Sequence, residues 1–410
     1  MGKRTMIIVV VVAVFSIFLI GNISPLNAAD PYVLGYISDI TGHARANYAP
    51  DSEGFRLYMD LVNSRGGING HPVKVIIEDG KSEASRSAAV AKKLIIEDKV
   101  LVICGLGFSR SQPPVYAMAK KEGVPIVTGY TCIEAVQDVK PGSVIFSSQY
   151  IMHPNFFPGA FATAKFLQGV KPKGSTVAFT TYSTPGARIW ASWTVPWLKE
   201  MGYKVVYVDY IPPKTVDISP WVSKVAKKNP DSYITIVGAE LLIPQASALE
   251  KLGYTKDVFG CDFVPEGDMR KCIERLSGNG EWMIWSGRYA SVYEDLPEMK
   301  RIKEAMDKFG HKFPLSSRHC NGWTIARVIE AALIKVGWPC TRSDLISSLE
   351  KTDLDTRGLT GGPIRFTPTD HHGPSWWKAY RWNATNKALV PIMDWFKIEV
   401  KELKKLGEKK

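Results

Sequence analysis

Short apolar runs alternate with longer amphipathic stretches along residues 30–300 of this chain. The first run, residues 32–37, predicts a strand. The stretch after it repeats apolar residues from Phe55 to Val62 at the spacing of one helix face, which predicts a helix starting near Asp51. The alternation then continues, and such apolar strands between amphipathic helices are typical of parallel sheets covered on both faces.

The same pattern starts a second time near residue 156, which predicts two α/β lobes. Further strands are predicted at 73–78, 100–104, 124–128, 176–181, 204–210, 233–237, 257–261 and 283–286. Further helices are predicted at 82–97, 156–167, 186–201, 241–252, 294–309, 317–336 and 343–350, with starts at Ser111 and Ser219. Pro196 should kink or shorten its helix. Short antiparallel strands are expected at 364–366, 376–382 and 389–395, and since no linker separates the lobes, the chain should cross between them more than once.

Length and charge narrow the class of protein. The 410 residues suggest two or three domains, and 45% hydrophobic residues exclude intrinsic disorder. Lys and Arg exceed Asp and Glu by 52 to 40, for a net charge of +12. The basic residues are dispersed, apart from a denser tail at 397–410, and no basic block is interleaved with aromatic residues. We therefore expect no nucleic-acid partner.

Residues 1–29 have the pattern of a signal peptide. Lys3 and Arg4 precede an apolar run at 6–20, and small residues follow at 27–29, so the mature chain is expected to begin near Asp30. An uncleaved anchor is the alternative interpretation. The sequence after Asp30 contains no run long enough to span a membrane, and we expect a protein exported to the periplasm or beyond.

Because an exported protein is in an oxidising environment, its six cysteines can form disulfides. Their spacing does not match a zinc site, and six cysteines allow 15 full pairings. Cys261 and Cys272 bracket a short polar segment and are the pair to test first.

Motifs for catalysis or cofactor binding are weak. The sequence has no P-loop, and Arg110 stands where a dinucleotide fingerprint beginning at Gly105 would need its third glycine. Adjacent histidines, His371 and His372, point in different directions on most backbones and are a poor metal site. We expect no cofactor, no metal and no enzymatic activity.

The positive signals lie where predicted strands end. Residues 105–113 and 129–131 are small or hydroxyl-bearing and follow two successive strands, each leading toward a helix start. Ligands of open α/β sheets bind at such strand ends, and the amides and hydroxyls there favour an anion. The expected ligand group is a carboxylate.

Several stretches resemble a known family. They are the segment 33–63, the Asn63-Ser64-Arg65-Gly66-Gly67-Ile68-Asn69-Gly70 run, residues 78–79, 104–113, 122–126, and the Gly361-Gly362-Pro363-Ile364-Arg365-Phe366 run. Over nearly all of 30–395 the chain resembles the leucine/isoleucine/valine-binding type of periplasmic solute-binding protein that serves ABC transporters.

The resemblance implies two doubly wound parallel-sheet lobes joined by three crossovers, with residues 30–148 plus 286–368 in the first lobe and 149–285 plus 369–410 in the second. It also implies a small ligand trapped by hinge closure, delivery to a membrane permease, and a monomer. Branched-chain amino acids are the family's default ligand.

The resemblance places the ligand contacts at particular residues. Ser109, Thr131 and the main chain at Gly129 would hold the carboxylate. Asp262 falls at the acidic position for the ligand ammonium, where amino-acid binders usually have Glu, and Glu240 falls where the family has Tyr. The expected wall of the site is aromatic, formed by Phe108, Tyr130 and Tyr182.

Other interpretations remain open. Arg110 and Arg188 are either surface charges or partners of an acidic ligand. The chain is alternatively a ligand-sensing subunit for an aromatic or other small organic acid. An exported hydrolase using Ser109 or Ser183 is the enzymatic rival.

Overall fold

The first part of the chain forms a five-stranded parallel sheet. A computed structural model of the protein describes residues 29–106, 109–129, 138–149, 158–260, 264–373 and 375–398. The strands are β1 (Tyr32–Ser38), β2 (Val73–Asp79), β3 (Val102–Gly105), β4 (Ile126–Thr128) and β5 (Ile145–Ser147), and the helices between them are α1 (Arg45–Ser64), α2 (Ala84–Lys92) and α3 (Gln112–Glu122). The strand order is β2-β1-β3-β4-β5. This is the order of a doubly wound sheet, in which strands are added to one side of β1 first and then to the other, so that the order reverses at the β1/β3 boundary.

A second, seven-stranded sheet follows. Its strands are β6 (Thr176–Tyr182), β7 (Lys204–Ile211), β8 (Ser232–Ile236), β9 (Asp257–Phe259), β10 (Met283–Gly287), β13 (Ser375–Asn383) and β14 (Ala388–Ile398), while β11 (Asp353–Leu354) and β12 (Ile364–Arg365) form a separate pair. The order is β14-β13-β10-β9-β8-β6-β7, parallel from β7 to β10 and antiparallel at β13 and β14. The helices are α4 (Pro158–Val170), α5 (Pro185–Glu200), α6 (Ser219–Lys228), α7 (Ala239–Lys251), α8 (Glu266–Ile273), α9 (Pro297–Phe309), α10 (Ser317–Val336) and α11 (Arg342–Leu349).

Helices cover both faces of the second sheet. Val177 and Phe179 belong to one hydrophobic cluster, whereas Ala178 between them belongs to another. Successive side chains of a strand point to opposite faces, so these two clusters are the two faces of one buried sheet.

The chain passes between the two sheets three times. Helices α9 to α11 follow β10 of the second sheet, yet Met299, Trp323 and Leu345 from these helices pack in the core of the first sheet. The chain returns to the second sheet after β12. The predicted α/β fold of two doubly wound lobes joined by crossovers is confirmed.

Some predicted boundaries are wrong. Helix α1 begins at Arg45, six residues before Asp51, and contains Pro50. Helix α5 continues through Pro196 to Glu200 and is not shortened. Strand β5 and helix α8 lack a prediction because three and eight residues are too few to show a period.

The pairing predicted between Cys261 and Cys272 is also wrong. Cys272 is a buried free thiol, as are Cys104 and Cys320, and Cys340 is a half-buried free thiol. Cys261 and Cys132 lie outside the described residues.

Within the described residues, no helix is both long and apolar enough to cross a membrane. The predicted signal segment lies outside them up to residue 28.

Candidate functional site

The end of β4 is in contact with helix α10. Gly129 follows β4 directly and is buried, and a Cβ atom at this position would lie 2.0 Å from Oδ1 of Asn321. Asn321 lies in α10 and is 1% exposed. The glycine therefore lets the main chain after β4 approach the asparagine amide more closely than any other residue would.

Asn321 joins two further elements at this point. Its Nδ2 donates a hydrogen bond of 2.9 Å to Oδ2 of Asp51 in α1. Its Oδ1 accepts a hydrogen bond of 2.8 Å from the hydroxyl of Tyr289, two residues after β10. Since β4 belongs to the first sheet and β10 to the second, this amide lies where strand ends of both sheets meet.

Two buried arginines flank this point, since Arg288 directly precedes Tyr289 and Arg318 lies one helical turn before Asn321. Arg288 follows β10 and is 1% exposed, and Arg318 in α10 is 3% exposed. Burial lowers the pKa of Arg318, while Asp51 and Tyr48 act to raise it. Burial raises the pKa of Tyr48, and the positive charges of Arg318 and Arg288 act against that rise. Both guanidinium groups therefore lie within electrostatic reach of one tyrosine.

We name this group the arginine cluster; its members are Tyr48, Asp51, Arg288, Tyr289, Arg318 and Asn321. The end of β5 also borders it. Burial raises the pKa of Tyr289, and hydrogen bonding to Gln149 and Ser148, together with the charge of Arg288, opposes that rise. Guanidinium and hydroxyl donors in a buried setting suit an anion.

A second pair of polar residues lies at the strand ends of the second sheet. The hydroxyl of Tyr182, the last residue of β6, donates to Oε1 of Glu240 in the first turn of α7. The same hydroxyl accepts a hydrogen bond of 2.8 Å from the amide of Gly238. Tyr182 is half-buried and Glu240 is exposed. The structure thus brings two of the predicted site residues into direct contact.

Most of the other predicted site residues cannot be placed in the site from the described part of the chain. Phe108, Tyr130, Thr131 and Asp262 lie outside the described residues, and Ser109 begins a short 3-10 turn, Ser109–Ser111, before α3. Gly129 is in place at the end of β4, against Asn321.

Arg110 and Arg188 are both exposed. The guanidinium carbon of Arg188 lies 4.1 Å from the ring centroid of Tyr210, and its Nε donates to the carbonyl of Ser183 at 3.1 Å.

The adjacent histidines have local partners. His371 is buried, stacks on Phe146 with ring centroids 3.9 Å apart, and its Nδ1 lies 3.1 Å from the carbonyl oxygen of Ile145. His372 pairs with Asp370. Across the described part of the chain, no group of three or more His, Cys, Asp or Glu side chains is placed to hold a metal ion.

Sequence reasoning missed the arginine cluster. The available signals were a charged residue, Arg288, immediately after an apolar strand, and a second one, Arg318, at the start of a helix whose residues are mostly apolar or small. For Asp51 the sequence pattern predicts only a helix start. These side chains lie on α1, on the residues after β10 and on α10, which are separated in the sequence, and only the fold brings them together.

Comparisons with known proteins agree with this architecture. The sequence profile of a family described as periplasmic binding protein matches residues 31–387. A Pseudomonas aeruginosa protein described as an amino acid binding protein is 31% identical over 67 residues, which are 16% of this chain and 18% of that relative. The match therefore spans less than a fifth of the relative's length.

Solved structures share the fold over most of the chain. A branched-chain amino acid ABC transporter protein from Thermus thermophilus with bound valine has a TM-score of 0.77 at 16% identity, covering 90% of this chain and 97% of that one. An R. palustris solute-binding protein in complex with 4-hydroxybenzoate has a TM-score of 0.72 at 20% identity, with 90% and 97% covered. A Streptococcus pneumoniae substrate-binding protein in complex with isoleucine has a TM-score of 0.71 at 17% identity, with 90% and 100% covered. The profile match over most of the sequence shows that the chain belongs to the periplasmic binding protein family.

Proposed function

We propose that this chain is an extracytoplasmic solute-binding protein of an ABC transporter. It captures a small carboxylate, either an amino acid of the branched-chain type or a related organic acid, and delivers it to a membrane permease. It works as a monomer, without a cofactor and without catalysis. Export depends on a signal peptide at residues 1–29, removed before Asp30.

One observation carries this proposal. The strand ends of the two sheets meet at Asn321, which contacts Gly129 after β4 and Tyr289 after β10. Parallel α/β sheets bind ligands outside the carboxyl ends of their strands, so a ligand at this position can contact both units at once. The two units are the proposed lobes, with divisions near residues 149, 286 and 369, and three hinge segments allow them to close on the ligand.

The family membership and the bound ligands of the structural neighbours support the ligand class. Those neighbours hold valine, isoleucine and 4-hydroxybenzoate, each of which carries a carboxylate. In this chain Ser109, Thr131 and the amide region of Gly129 are proposed to bind that group. Tyr182, Glu240 and Asp262, with Phe108 and Tyr130, are proposed to line the remainder.

A thermal-shift screen tests the proposal. The purified mature chain is mixed with branched-chain and aromatic amino acids, hydroxybenzoates, fatty acids and dicarboxylates. A ligand at 100 times its Kd should stabilise the protein by roughly 2.7 kcal/mol. Thr131→Val should then weaken binding of that ligand by about 1–3 kcal/mol, because a hydrogen bond to a charged group is lost. A screen in which no small acid raises the melting temperature contradicts the proposal.

A further inference from the structure

Resting on the proposed function, we propose that Arg288 and Arg318 form the anion site of this protein, and that its ligand is a small organic acid without an α-ammonium group. The two guanidinium groups would hold the ligand carboxylate between the lobes. This assignment goes beyond the hydroxyl and amide contacts predicted at Ser109, Gly129 and Thr131.

The first argument is position. Arg288 directly follows β10 of the second sheet, and its guanidinium carbon lies 5.8 Å from the ring centroid of Trp377 in β13. Arg318 lies in α10, which packs in the core of the first sheet. The two cations therefore come from different units and lie on either side of one hydrogen bond, since Arg288 precedes Tyr289, Arg318 lies one helical turn before Asn321, and the Tyr289 hydroxyl donates to Asn321 at 2.8 Å. A carboxylate bound by both would connect the two units and favour the closed state.

The second argument is the chemistry of the donors. A guanidinium presents five N–H donors in a planar fork that matches the two oxygens of a carboxylate. Both arginines are at least 97% buried, and a charge-assisted hydrogen bond is strongest where water is excluded. Beside the two arginines, Asn321 donates to Asp51 at 2.9 Å and accepts from Tyr289 at 2.8 Å, so the neighbouring side chains of the cluster are held by hydrogen bonds.

The third argument concerns the ligand class. An α-ammonium group is attached to the carbon next to the carboxylate, so it would be carried into the same buried space as the two guanidiniums. The positive charges of the ammonium and of the guanidiniums would repel each other strongly there, because the buried space has a low dielectric constant. Asp51, the acidic member of the arginine cluster, already accepts a hydrogen bond from Asn321 and acts on Arg318. The cluster therefore favours an acid such as 4-methylpentanoate over the amino acid leucine.

The experiment uses matched compounds and calorimetry with the mature chain. The probes are 4-methylpentanoate and its amide, benzoate and benzamide, and L-leucine. Each acid should bind about tenfold or more tightly than its amide, and 4-methylpentanoate should bind more tightly than L-leucine. This comparison needs no variant and holds even where a substitution impairs folding.

Variants then assign the effect to the two residues. Arg288→Gln and Arg318→Lys should weaken binding of the acid by about tenfold to a hundredfold and reduce its advantage over the amide. The matched control is Arg327→Gln in the same helix α10. Arg327 is 5% exposed, lies 3.7 Å from Glu298 and donates to the carbonyl of Asp355 at 2.8 Å. This control should lower the melting temperature and leave the Kd unchanged.

The outcomes separate the two proposals. Binding of L-leucine as tight as that of 4-methylpentanoate overturns the ligand class inferred here, and unchanged acid binding in both arginine variants overturns the assignment of the anion site. In either case the proposed function as a solute-binding protein still stands. The absence of binding by every probe and by every compound of the wider screen contradicts both.

Discussion

The carboxylate of Glu266 caps the start of another helix, since it accepts hydrogen bonds from the amide of Ser317 at 3.0 and 3.2 Å and from its hydroxyl at 3.0 Å. Glu266 begins α8, which packs on the second sheet, whereas Ser317 begins α10 in the first core. This contact therefore joins the two units at a buried site. Burial raises the pKa of Glu266 from 4.5 to about 7, and the bonds from Ser317 only partly oppose that rise.

The raised pKa predicts a stability that depends on pH. A folded-state pKa above the unfolded value means that the protein is most stable below pH 4.5 with respect to this group, and loses that contribution as pH rises through 7. The loss is about 3–4 kcal/mol at most, because one pKa unit corresponds to roughly 1.4 kcal/mol. Urea unfolding of wild type and Glu266→Gln between pH 5 and 8 measures it.

The variant should have a flatter stability profile over this range than wild type. The matched control is Glu274→Gln, which removes an exposed carboxylate that pairs with Arg270 near the end of the same helix. This control should retain the wild-type slope. Equal slopes for wild type and Glu266→Gln would contradict the prediction.

The close approach of Gly129 to Asn321 predicts a second effect. In Gly129→Ala the new methyl group must displace the asparagine amide, which is held by Asp51 and Tyr289. We expect a loss of about 1–3 kcal/mol in the free energy of unfolding, the usual cost of overpacking. Adding Asn321→Ala should cost less in this background than in wild type, because the clash is then relieved.

The control for this measurement is Gly267→Ala. Gly267 lies in α8, and a Cβ atom there would meet no other atom within 4 Å. This substitution should be neutral or stabilising, since alanine favours helix. A Gly129→Ala protein as stable as wild type would show that the chain after β4 moves freely away from α10.

The Tyr182 hydroxyl predicts a change in ligand affinity. Tyr182→Phe removes the hydroxyl that donates a hydrogen bond to Glu240 and accepts one from the amide of Gly238. If these residues line the site, the Kd should rise by about tenfold, the effect of one hydrogen bond to a charged group. Calorimetry with the best acid from the screen measures it.

Tyr207→Phe is the matched control. Tyr207 lies in β7 and donates a 2.7 Å hydrogen bond to Asp209, so the same chemical change is made within the same sheet. Its affinity should equal that of wild type. A similar rise in Kd for both variants would assign the effect to the sheet as a whole and remove Tyr182 from the site.

The four free thiols among the described residues predict a labelling pattern. Cys104, Cys272 and Cys320 are buried, whereas Cys340 is half-buried and burial raises its pKa to about 11. Of these four, iodoacetamide at pH 8 should modify Cys340 slowly and the other three only in urea, because the thiolate is the reactive form. Mass spectrometry of the peptides reads the result. Rapid modification of Cys272 in the native protein would contradict its burial.

Much of the fold could be predicted from local pattern. The helix at 317–336 was predicted at its observed bounds, and β1 and β6 differ by one residue at their ends. These segments have long, regular apolar periods, which depend only on their own residues. The start of α1 could not be predicted, because its first turn lacks such a period and Pro50 follows in the second turn.

The candidate site could be predicted only in part. Gly129 follows a predicted strand, and this position was enough to indicate it, whereas Tyr182 and Glu240 were indicated by the family resemblance. Arg288 also directly follows a strand and Arg318 lies at a helix start, but these positions did not distinguish the two residues, since a single arginine there is compatible with a surface position as well as with a buried one.

The sequence by itself determined the fold class, the repetition of the α/β pattern and the positions of most strands, because the period of apolar residues is a local property. Only the tertiary structure decided that Asp51, Arg288, Arg318 and Asn321 share one buried cluster. They lie on α1, α10 and the chain after β10, separated by up to 270 residues. They come together because two sheets pack through three crossovers, and a local stretch of sequence does not carry information about such long-range packing.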